Sequence, residues 1–280
     1  MSSLPPLLEP AFWACIGAIL LCWLLSVWTR EYSWVDRLWS VMPPLYAIWF
    51  AWGSGFDGRT VLMAGLATLW GARLTYNFAR KGGYQKGGED YRWVELRKRM
   101  SPLAFQVFNF FFTACFQLLL VFALSWPAVI AVAHQDQPLG AVDTLLASLF
   151  LACLIGETIA DQQQWTFQRE KHDKQARGEP VTQGFVTGGL FAYSRHPNFF
   201  FEQAQWWIFY AMGAWAAGDW LNYTVAGPAV LTALFHGSTN FTEELSLRKY
   251  PDYAGYQARV SRLLPWFPRP RADEHGALAE

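Results

Sequence analysis

The chain alternates long apolar stretches with polar connections. Seven stretches stand out, and most approach the ~20 residues that an α-helix needs to cross the hydrocarbon core of a membrane. They cover residues 7–28, 38–52, 61–78, 105–133, 139–160, 199–217 and 220–235. The second contains Pro43 and Pro44, which favour a kink or a buried position, and Pro127 is expected to kink or end the fourth. The pattern predicts an all-α, polytopic membrane protein with about seven transmembrane helices.

Lysine and arginine are distributed unevenly among the connections. Of the 22 basic residues, 20 lie in the segments 30–37, 80–104, 161–198 and 237–280. Since cytoplasmic segments of membrane proteins retain an excess of basic residues, this distribution places the N-terminus outside and the C-terminus in the cytoplasm. We expect residues 1–269 to form a single transmembrane domain and residues 270–280 to form a disordered tail.

Composition supports the membrane assignment and excludes several functions. Hydrophobic residues make up 53% of the chain and charged residues 16%, against about a quarter in ordinary soluble domains. The formal net charge is zero, so no nucleic-acid partner is expected. The four cysteines lie singly in apolar runs and the histidines lack metal-binding spacing, so we predict no metal site. Glycine-rich phosphate loops and nucleophile elbows are also missing from the sequence.

Arg73, Glu157 and Asp161 are charged residues that lie inside an apolar stretch or directly after one. Arg73 sits about two turns before the inner end of the third stretch, where a charge costs several kcal/mol unless it snorkels or is paired. Three arrangements would offset this cost: the Arg73 side chain snorkels to the interface, it binds a ligand phosphate, or it pairs with an intramembrane carboxylate. Glu157 and Asp161 are spaced i and i+4 and therefore share one helix face. Two like charges there need donors, which Arg73, Arg169, or the ribose or carboxamide of a ligand could supply.

The segment 188–207, GGLFAYSRHPNFFFEQAQWW, begins with two glycines, which allow close backbone approach, and continues into a helix. Asn198 and Glu202 share one face of that helix. Arg195 and His196 precede its first turn, where the helix dipole favours an anion. The segment predicts phosphate or carboxylate binding. The alternative, that Arg195 and His196 only mark the headgroup boundary, leaves the buried Glu202 unexplained.

Several segments together resemble the steroid 5α-reductase C-terminal domain family. They are GGLFAYSRHPNFFFE (188–202), ETIADQQQWTFQREK (157–171) and RKYPDYAGYQARVSRLLPWFP (248–268). VDRLWSVMPPLYA (35–47) and GGEDYRWVELRK (87–98) look like bacterial members of unassigned substrate. The resemblance covers most of the chain from about residue 33. An aromatic-Ser-Arg-His-Pro-Asn run also occurs in isoprenylcysteine carboxyl methyltransferases and sterol reductases, so the specificity comes from the combination.

The resemblance implies a seven-helix enzyme of the bacterial plasma membrane that holds NADPH in a polar cavity open to the cytoplasm. The residues that match the family's cofactor contacts, or lie in the matching local run, are Arg73, Glu157, Asp161, Tyr193, Arg195, His196, Asn198, Glu202 and His236. Glu157 takes the place of an Asn in steroid reductases. His236 matches only loosely, because a His-Gly-Ser-Thr-Asn run stands at the family's histidine-rich position.

The chain departs from steroid-reducing members in its substrate clamp. Those members hold an enone carbonyl with a Gln-Glu pair and a Tyr, and the first 100 residues here contain no Gln-Glu pair. The candidates for a proton donor are Asp36, Tyr46 and Tyr76. Asp36 lies at the inner mouth of the second stretch, and a surface pair with Arg37 or Arg30 is the competing interpretation.

These observations lead to three functional hypotheses. The first is an NADPH-dependent reductase of a conjugated carbon–carbon double bond in a lipophilic, steroid-like or isoprenoid-like substrate. The second is an S-adenosylmethionine-dependent lipid or isoprenylcysteine-type methyltransferase on the same fold. The third is a membrane scaffold or transporter, which the clustering of polar residues at the inner mouth disfavours. Besides its substrate, the expected partners are membrane lipids, and we expect a monomer.

Overall fold

A computed structural model describes residues 6–270. Regular structure in this range is entirely helical, and no strand occurs within it. The α-helices are α1 (Leu8–Thr29), α2 (Trp34–Trp39), α3 (Met42–Gly53), α4 (Gly58–Arg80), α5 (Tyr91–Arg99), α6 (Pro102–Phe108), α7 (Gln117–Leu124), α8 (Trp126–Ala133), α9 (Ala141–Ala176), α10 (Pro197–Ala217), α11 (Ala226–Lys249) and α12 (Tyr253–Arg259). Asn109–Phe116 form a π-helix, and Gly189–Ala192 and Tyr223–Val225 form short 3-10 helices.

Each of the seven apolar stretches coincides with helical structure, which confirms the all-α prediction. Three segments are long and apolar enough to cross a membrane by length and composition: Leu8–Thr29, Pro102–Ala133 and Ala141–Ala176. The chain therefore has the character of a polytopic membrane protein. The count of seven crossings and the orientation stay predictions.

Pro43 and Pro44 are buried in the first turn of α3, and one helix ends just before Pro127, so the predicted burial and the predicted helix end are both confirmed. In the second stretch, α2 ends at Trp39 and α3 begins at Met42, with proline in its first turn. In the fourth, α7 ends at Leu124 and Pro127 lies in the first turn of α8. Proline is tolerated there because the first N–H groups of a helix have no partner within it.

The fourth stretch also contains the π-helix Asn109–Phe116, which the hydrophobic pattern did not indicate. π-Helices are rare and insert an extra residue into a turn, which changes the face that later side chains occupy. Asn109 is buried, and its amide donates to the Ser26 hydroxyl at 2.8 Å. A polar side chain inside this apolar segment is thus paired with a hydroxyl of α1.

Helix α9 has 36 residues and extends far beyond the fifth apolar stretch. At 1.5 Å per residue it is about 54 Å long, whereas a bilayer core is about 30 Å thick. The polar run 161–174 continues the same helix.

The chain divides into two compact units, whose boundaries fall inside α9, α10 and α11. Unit 1 comprises the residues up to Phe150 and Trp206–Leu231. Its core includes Trp70 and Trp206, whose rings meet edge to face at 4.8 Å. Gly71 packs closely in this unit, because a Cβ atom there would lie 2.4 Å from the Ser40 carbonyl oxygen.

Unit 2 comprises Leu151–Gln205 and the residues from Thr232 onward. Its core includes an aromatic cluster in which Tyr253, Tyr256 and Val260 pack with Phe185. The Tyr256 hydroxyl donates to the Phe191 carbonyl at 2.5 Å. Residues 271–280 of the predicted tail lie outside the described residues, and the single domain over 1–269 stays a prediction.

Candidate functional site

A buried polar cluster forms in unit 2 between the last turns of the apolar part of α9 and the first turns of α10. We call it the acidic cluster. Its members are Glu157, Asp161, Asn198 and Gln205, together with Glu202, which is buried one turn after Asn198 on the same face of α10. The Gln205 amide donates to Glu157 Oε2 at 2.7 Å, and the Asn198 amide lies 3.5 Å from Asp161 Oδ1. The two pairs with i, i+4 spacing in the sequence, Glu157 with Asp161 and Asn198 with Glu202, thus contribute to a single cluster.

Close helix packing brings these side chains together. Gly156 faces the ring of Phe201, and a Cβ atom at Gly156 would lie 2.6 Å from that ring. The glycine therefore lets α9 and α10 approach closely at the level of the cluster. The three carboxylates are each less than 10% exposed, which is costly unless donors compensate their lost hydration.

Arg195 and His196 lie in a separate buried network of unit 2. The Arg195 guanidinium makes a two-pronged contact with Glu243, at 2.7 and 3.1 Å, and donates to the carbonyls of Gln257 and Val260. His196 Nε2 lies 2.9 Å from Glu243 Oε1, and its ring stacks on Phe199. The charge of Arg195 is therefore paired with a protein carboxylate.

Glu243 is the residue that sequence reasoning missed. It is buried, which raises the pKa of its carboxyl, but hydrogen bonds from His196, Arg195 and Gln257 outweigh burial and lower the pKa to about 2. Its neighbour Glu244 pairs with Arg248 one turn away. The sequence offered only an acidic pair at these positions, since the contact with Arg195 spans 48 residues.

The segment after α12 holds residues 193–196 through backbone hydrogen bonds. The Arg195 N–H donates to the Ser261 carbonyl at 2.8 Å, and the Trp266 N–H donates to the Tyr193 carbonyl at 2.9 Å. The Ser194 hydroxyl donates to the Leu263 carbonyl at 2.8 Å. Tyr193 is itself largely exposed. The residues before α10 are thus held by a distant part of the chain.

An open cleft of about 390 Å³ lies in unit 2 between the polar extension of α9 and the loop 183–189. We call it the amide cleft. Its lining includes the glutamines at 162, 163 and 183, the threonines at 166 and 187, Phe167 and Glu170. Gly189 has a positive φ of 63°, and its backbone packs against the Gln163 amide, which accepts from the Leu190 N–H at 2.9 Å.

The predicted catalytic residue Asp36 lies in unit 1. Its carboxylate accepts from the Trp93 indole N–H at 2.8 Å. Burial raises the pKa of Asp36, and the nearby Asp90 carboxylate raises it further. The competing surface pair with Arg37 is not formed, because Arg37 pairs with Glu31 at 2.9 Å.

The other predicted residues occupy varied positions. In unit 1, Tyr46 is buried against Phe122, whereas Tyr76 is 66% exposed beside Arg80. Arg73 lies partly buried on α4, also in unit 1. In unit 2, His236 is exposed. Within residues 6–270, histidine, cysteine and acidic side chains form no group of three that would suit a metal ion.

Comparison with known proteins identifies the family. The family described as "Protein of unknown function (DUF1295)" matches residues 22–260. The chain is 41% identical over 269 residues to "Uncharacterized protein C594.04c" of Schizosaccharomyces pombe, an alignment that covers 89% of this chain and 76% of that protein. No solved structure matches the chain. Since the family match spans most of the residues and the relative shares more than a third of its sequence, the chain belongs to the DUF1295 family.

Proposed function

We propose that this protein is a membrane-embedded reductase that reduces a conjugated carbon–carbon double bond in a lipophilic substrate. The hydride would come from a reduced nicotinamide dinucleotide, which is NADPH in the steroid 5α-reductase family that the sequence resembles. The seven crossings and a cofactor site open to the cytoplasm belong to the same proposal. The curated relative is a fission-yeast protein, so the bacterial plasma membrane is proposed only from the sequence resemblance.

The acidic cluster is the observation that carries the proposal. Buried carboxylates accept hydrogen bonds, and ribose hydroxyls and a carboxamide N–H₂ are donors that suit them. The adjoining amides of Asn198 and Gln205 add neutral hydrogen-bonding groups. The carboxylate acceptors and the two amides therefore fit the sugar and carboxamide parts of a nicotinamide dinucleotide. Arg195 is directed at Glu243, so the proposal gives it a positioning role and no contact with phosphate.

The reduction also requires a proton, and Asp36 is the strongest of the three candidate donors. When bound, the reduced nicotinamide supplies a hydride to the β-carbon of the enone, and a proton must reach the α-carbon or oxygen to complete the two-electron reduction. Burial and the nearby Asp90 carboxylate raise the pKa of Asp36, which favours the protonated form that a proton donor needs. Tyr46 is buried against Phe122, and Tyr76 is largely exposed, so among the described residues neither lies beside a carboxylate as Asp36 does.

A transfer experiment tests the proposed reaction. The full chain, purified in detergent, would be given nicotinamide dinucleotides that carry deuterium at the transferred position, together with a set of steroid and isoprenoid enones. We expect mass spectrometry to find one deuterium in a saturated product. We expect Glu202→Gln to abolish transfer and Gln203→Ala to retain it, since Gln203 is equally buried on α10 but bonds the Phe199 carbonyl.

The methyltransferase hypothesis predicts a different label. S-Adenosylmethionine with a deuterated methyl group would be offered in parallel with lipid and prenylated-thiol acceptors. Methyl transfer without any deuteride transfer would reject the reductase proposal. Absence of both transfers across the substrate set would favour the scaffold hypothesis.

A further inference from the structure

The amide cleft differs chemically from the acidic cluster, although both lie in unit 2 and on α9. Its lining is mostly neutral and carries amide, hydroxyl and glycine backbone groups. One hydrogen bond joins the helix to the chain after the loop, because the Gln163 amide accepts from the Leu190 N–H. A second lies within the loop, where the Gln183 amide donates to the Thr187 hydroxyl at 2.6 Å. At about 390 Å³ the cleft lies near the lower limit of ordinary ligand pockets, which suits one nucleoside better than a whole dinucleotide.

Its side chains suit the base and the sugar of adenosine. Amide groups can pair with the donor and acceptor edge of adenine, as asparagine and glutamine do with adenine in nucleic acids. Phe167 and Val186 supply apolar surface for the flat base. Gly188 leaves room beside the backbone, because a Cβ atom there would meet nothing within 4 Å.

Charge decides which adenosine the cleft can accept. Glu170 is the one charged residue among those that line it. A carboxylate near the ribose accepts a hydrogen bond from a free 2′-hydroxyl, whereas it repels a 2′-phosphate. Dinucleotide-binding proteins that accept the phosphorylated form commonly place an arginine at that point instead.

The neighbouring cations do not cancel the negative charge that Glu170 gives the cleft. Lys171 follows Glu170 but donates to the Gly184 carbonyl at 2.7 Å and to the Tyr250 hydroxyl at 2.6 Å. Lys249 lies 5.4 Å from the centre of the Tyr250 ring, and Arg169 and Lys174 are exposed on α9. None of these three cations lines the cleft. The charge that a 2′-phosphate would meet first is therefore negative.

We infer that the amide cleft binds the adenosine end of the nucleotide and that Glu170 selects a ribose with a free 2′-hydroxyl. Resting on the proposed function, this inference assigns NADH, and not the NADPH implied by the family resemblance, as the preferred cofactor of this chain. Glu170 is thus a residue that determines cofactor specificity.

Binding of the two dinucleotides to the detergent-purified full chain tests the inference. The dissociation constants for NADH and NADPH would be measured by titration calorimetry, with thermal unfolding as a second readout, since a ligand of the folded state raises its stability. We expect NADH to bind roughly tenfold or more tightly than NADPH. Glu170→Gln should reduce this ratio, and Glu170→Arg should invert it.

Asp173→Asn is the matched control, because Asp173 is exposed on the same helix and does not line the cleft. It should leave the ratio unchanged. Tighter binding of NADPH to the native chain, lost in Lys174→Ala, would overturn the inference while leaving the reductase proposal intact. A native preference for NADH that persists unchanged in both Glu170 variants would overturn the role of Glu170. If neither dinucleotide binds the native chain, the proposed function fails together with the inference.

Discussion

Two buried arginine–carboxylate pairs, one in each unit, differ in what surrounds them. In unit 1, Arg59 and Asp143 are each 1% exposed and form a two-pronged contact at 2.7 and 3.1 Å. The remaining Arg59 donors reach the carbonyls of Gln137 and Pro138. In unit 2, the Arg195–Glu243 pair has similar geometry, but Glu243 is shared with a histidine and a glutamine.

The difference indicates two kinds of role. The Arg59–Asp143 pair ties the start of α4 to the start of α9 and satisfies its own hydrogen bonds. The Arg195–Glu243 pair fixes the residues that lead into α10, the helix that carries Asn198 and Glu202. Breaking the first should therefore alter stability alone, whereas breaking the second should alter both stability and the candidate site.

The largest effect is expected from breaking the pair in unit 1. Arg59→Met leaves the Asp143 carboxylate buried without its partner, which should cost about 3–5 kcal/mol of folding free energy. Thermal and denaturant unfolding in detergent would measure the loss. The double variant Arg59→Met with Asp143→Leu should recover much of it, because apolar replacement of a buried pair is often tolerated. Failure of the double variant to recover would show that backbone contacts of Arg59 dominate.

The second effect concerns Glu243 and depends on pH. Its folded pKa of about 2 lies below the unfolded value, so its ionised form stabilises the fold above about pH 5 and this contribution fades as the pH falls toward 2. At pH 7 the contribution is about 3 kcal/mol. Glu243→Gln should lose most of it at pH 7, and the gap to the native chain should narrow below about pH 5.

Nucleotide binding by the Glu243→Gln and Arg59→Met variants distinguishes the two arginine–carboxylate pairs. Glu243→Gln should also weaken dinucleotide binding, since it releases Arg195 and His196 before α10. Arg59→Met, assayed at a temperature where it remains folded, should leave binding unchanged. Equal losses of binding in both variants would remove the distinction between the two pairs.

A smaller effect is expected from the two adjacent glycines at the amide cleft. Gly189→Ala places a side chain at a φ of 63° and against the Gln163 amide, which should cost about 1–2 kcal/mol. Gly188→Ala meets nothing within 4 Å and should change stability by less than about 0.5 kcal/mol. Its methyl group should nevertheless weaken dinucleotide binding if the cleft is occupied. Unfolding and titration of the two variants side by side would separate these effects.

The contrast also shows what sequence pattern can predict. Apolar stretches located the helices, because burial and membrane insertion both select long apolar runs. The i, i+4 pairs located the acidic cluster, since that spacing fixes a helix face regardless of what packs against it. The π-helix Asn109–Phe116 had no comparable signal, because one inserted residue does not alter composition.

Partners far apart in the chain were not predictable in the same way. The sequence predicts an anion beside Arg195, and the structure places the Glu243 carboxylate there. For Asp36, the sequence suggests an ion pair with Arg37 or Arg30 as the competing interpretation. The structure instead pairs Asp36 with Trp93, which is 57 residues away in the chain. Helical periodicity defines the faces of single elements, whereas tertiary contacts decide which residue lies opposite.

Titration of NADH into the detergent-purified native chain, Glu202→Gln and Gln203→Ala tests most directly whether the acidic cluster binds a nicotinamide nucleotide. We expect saturable binding to the native chain that Gln203→Ala retains and Glu202→Gln weakens by roughly tenfold or more. Thermal unfolding of each variant would confirm that it is folded. Equal binding to all three folded proteins, or no binding of NADH or NADPH to the native chain, would contradict the central claim.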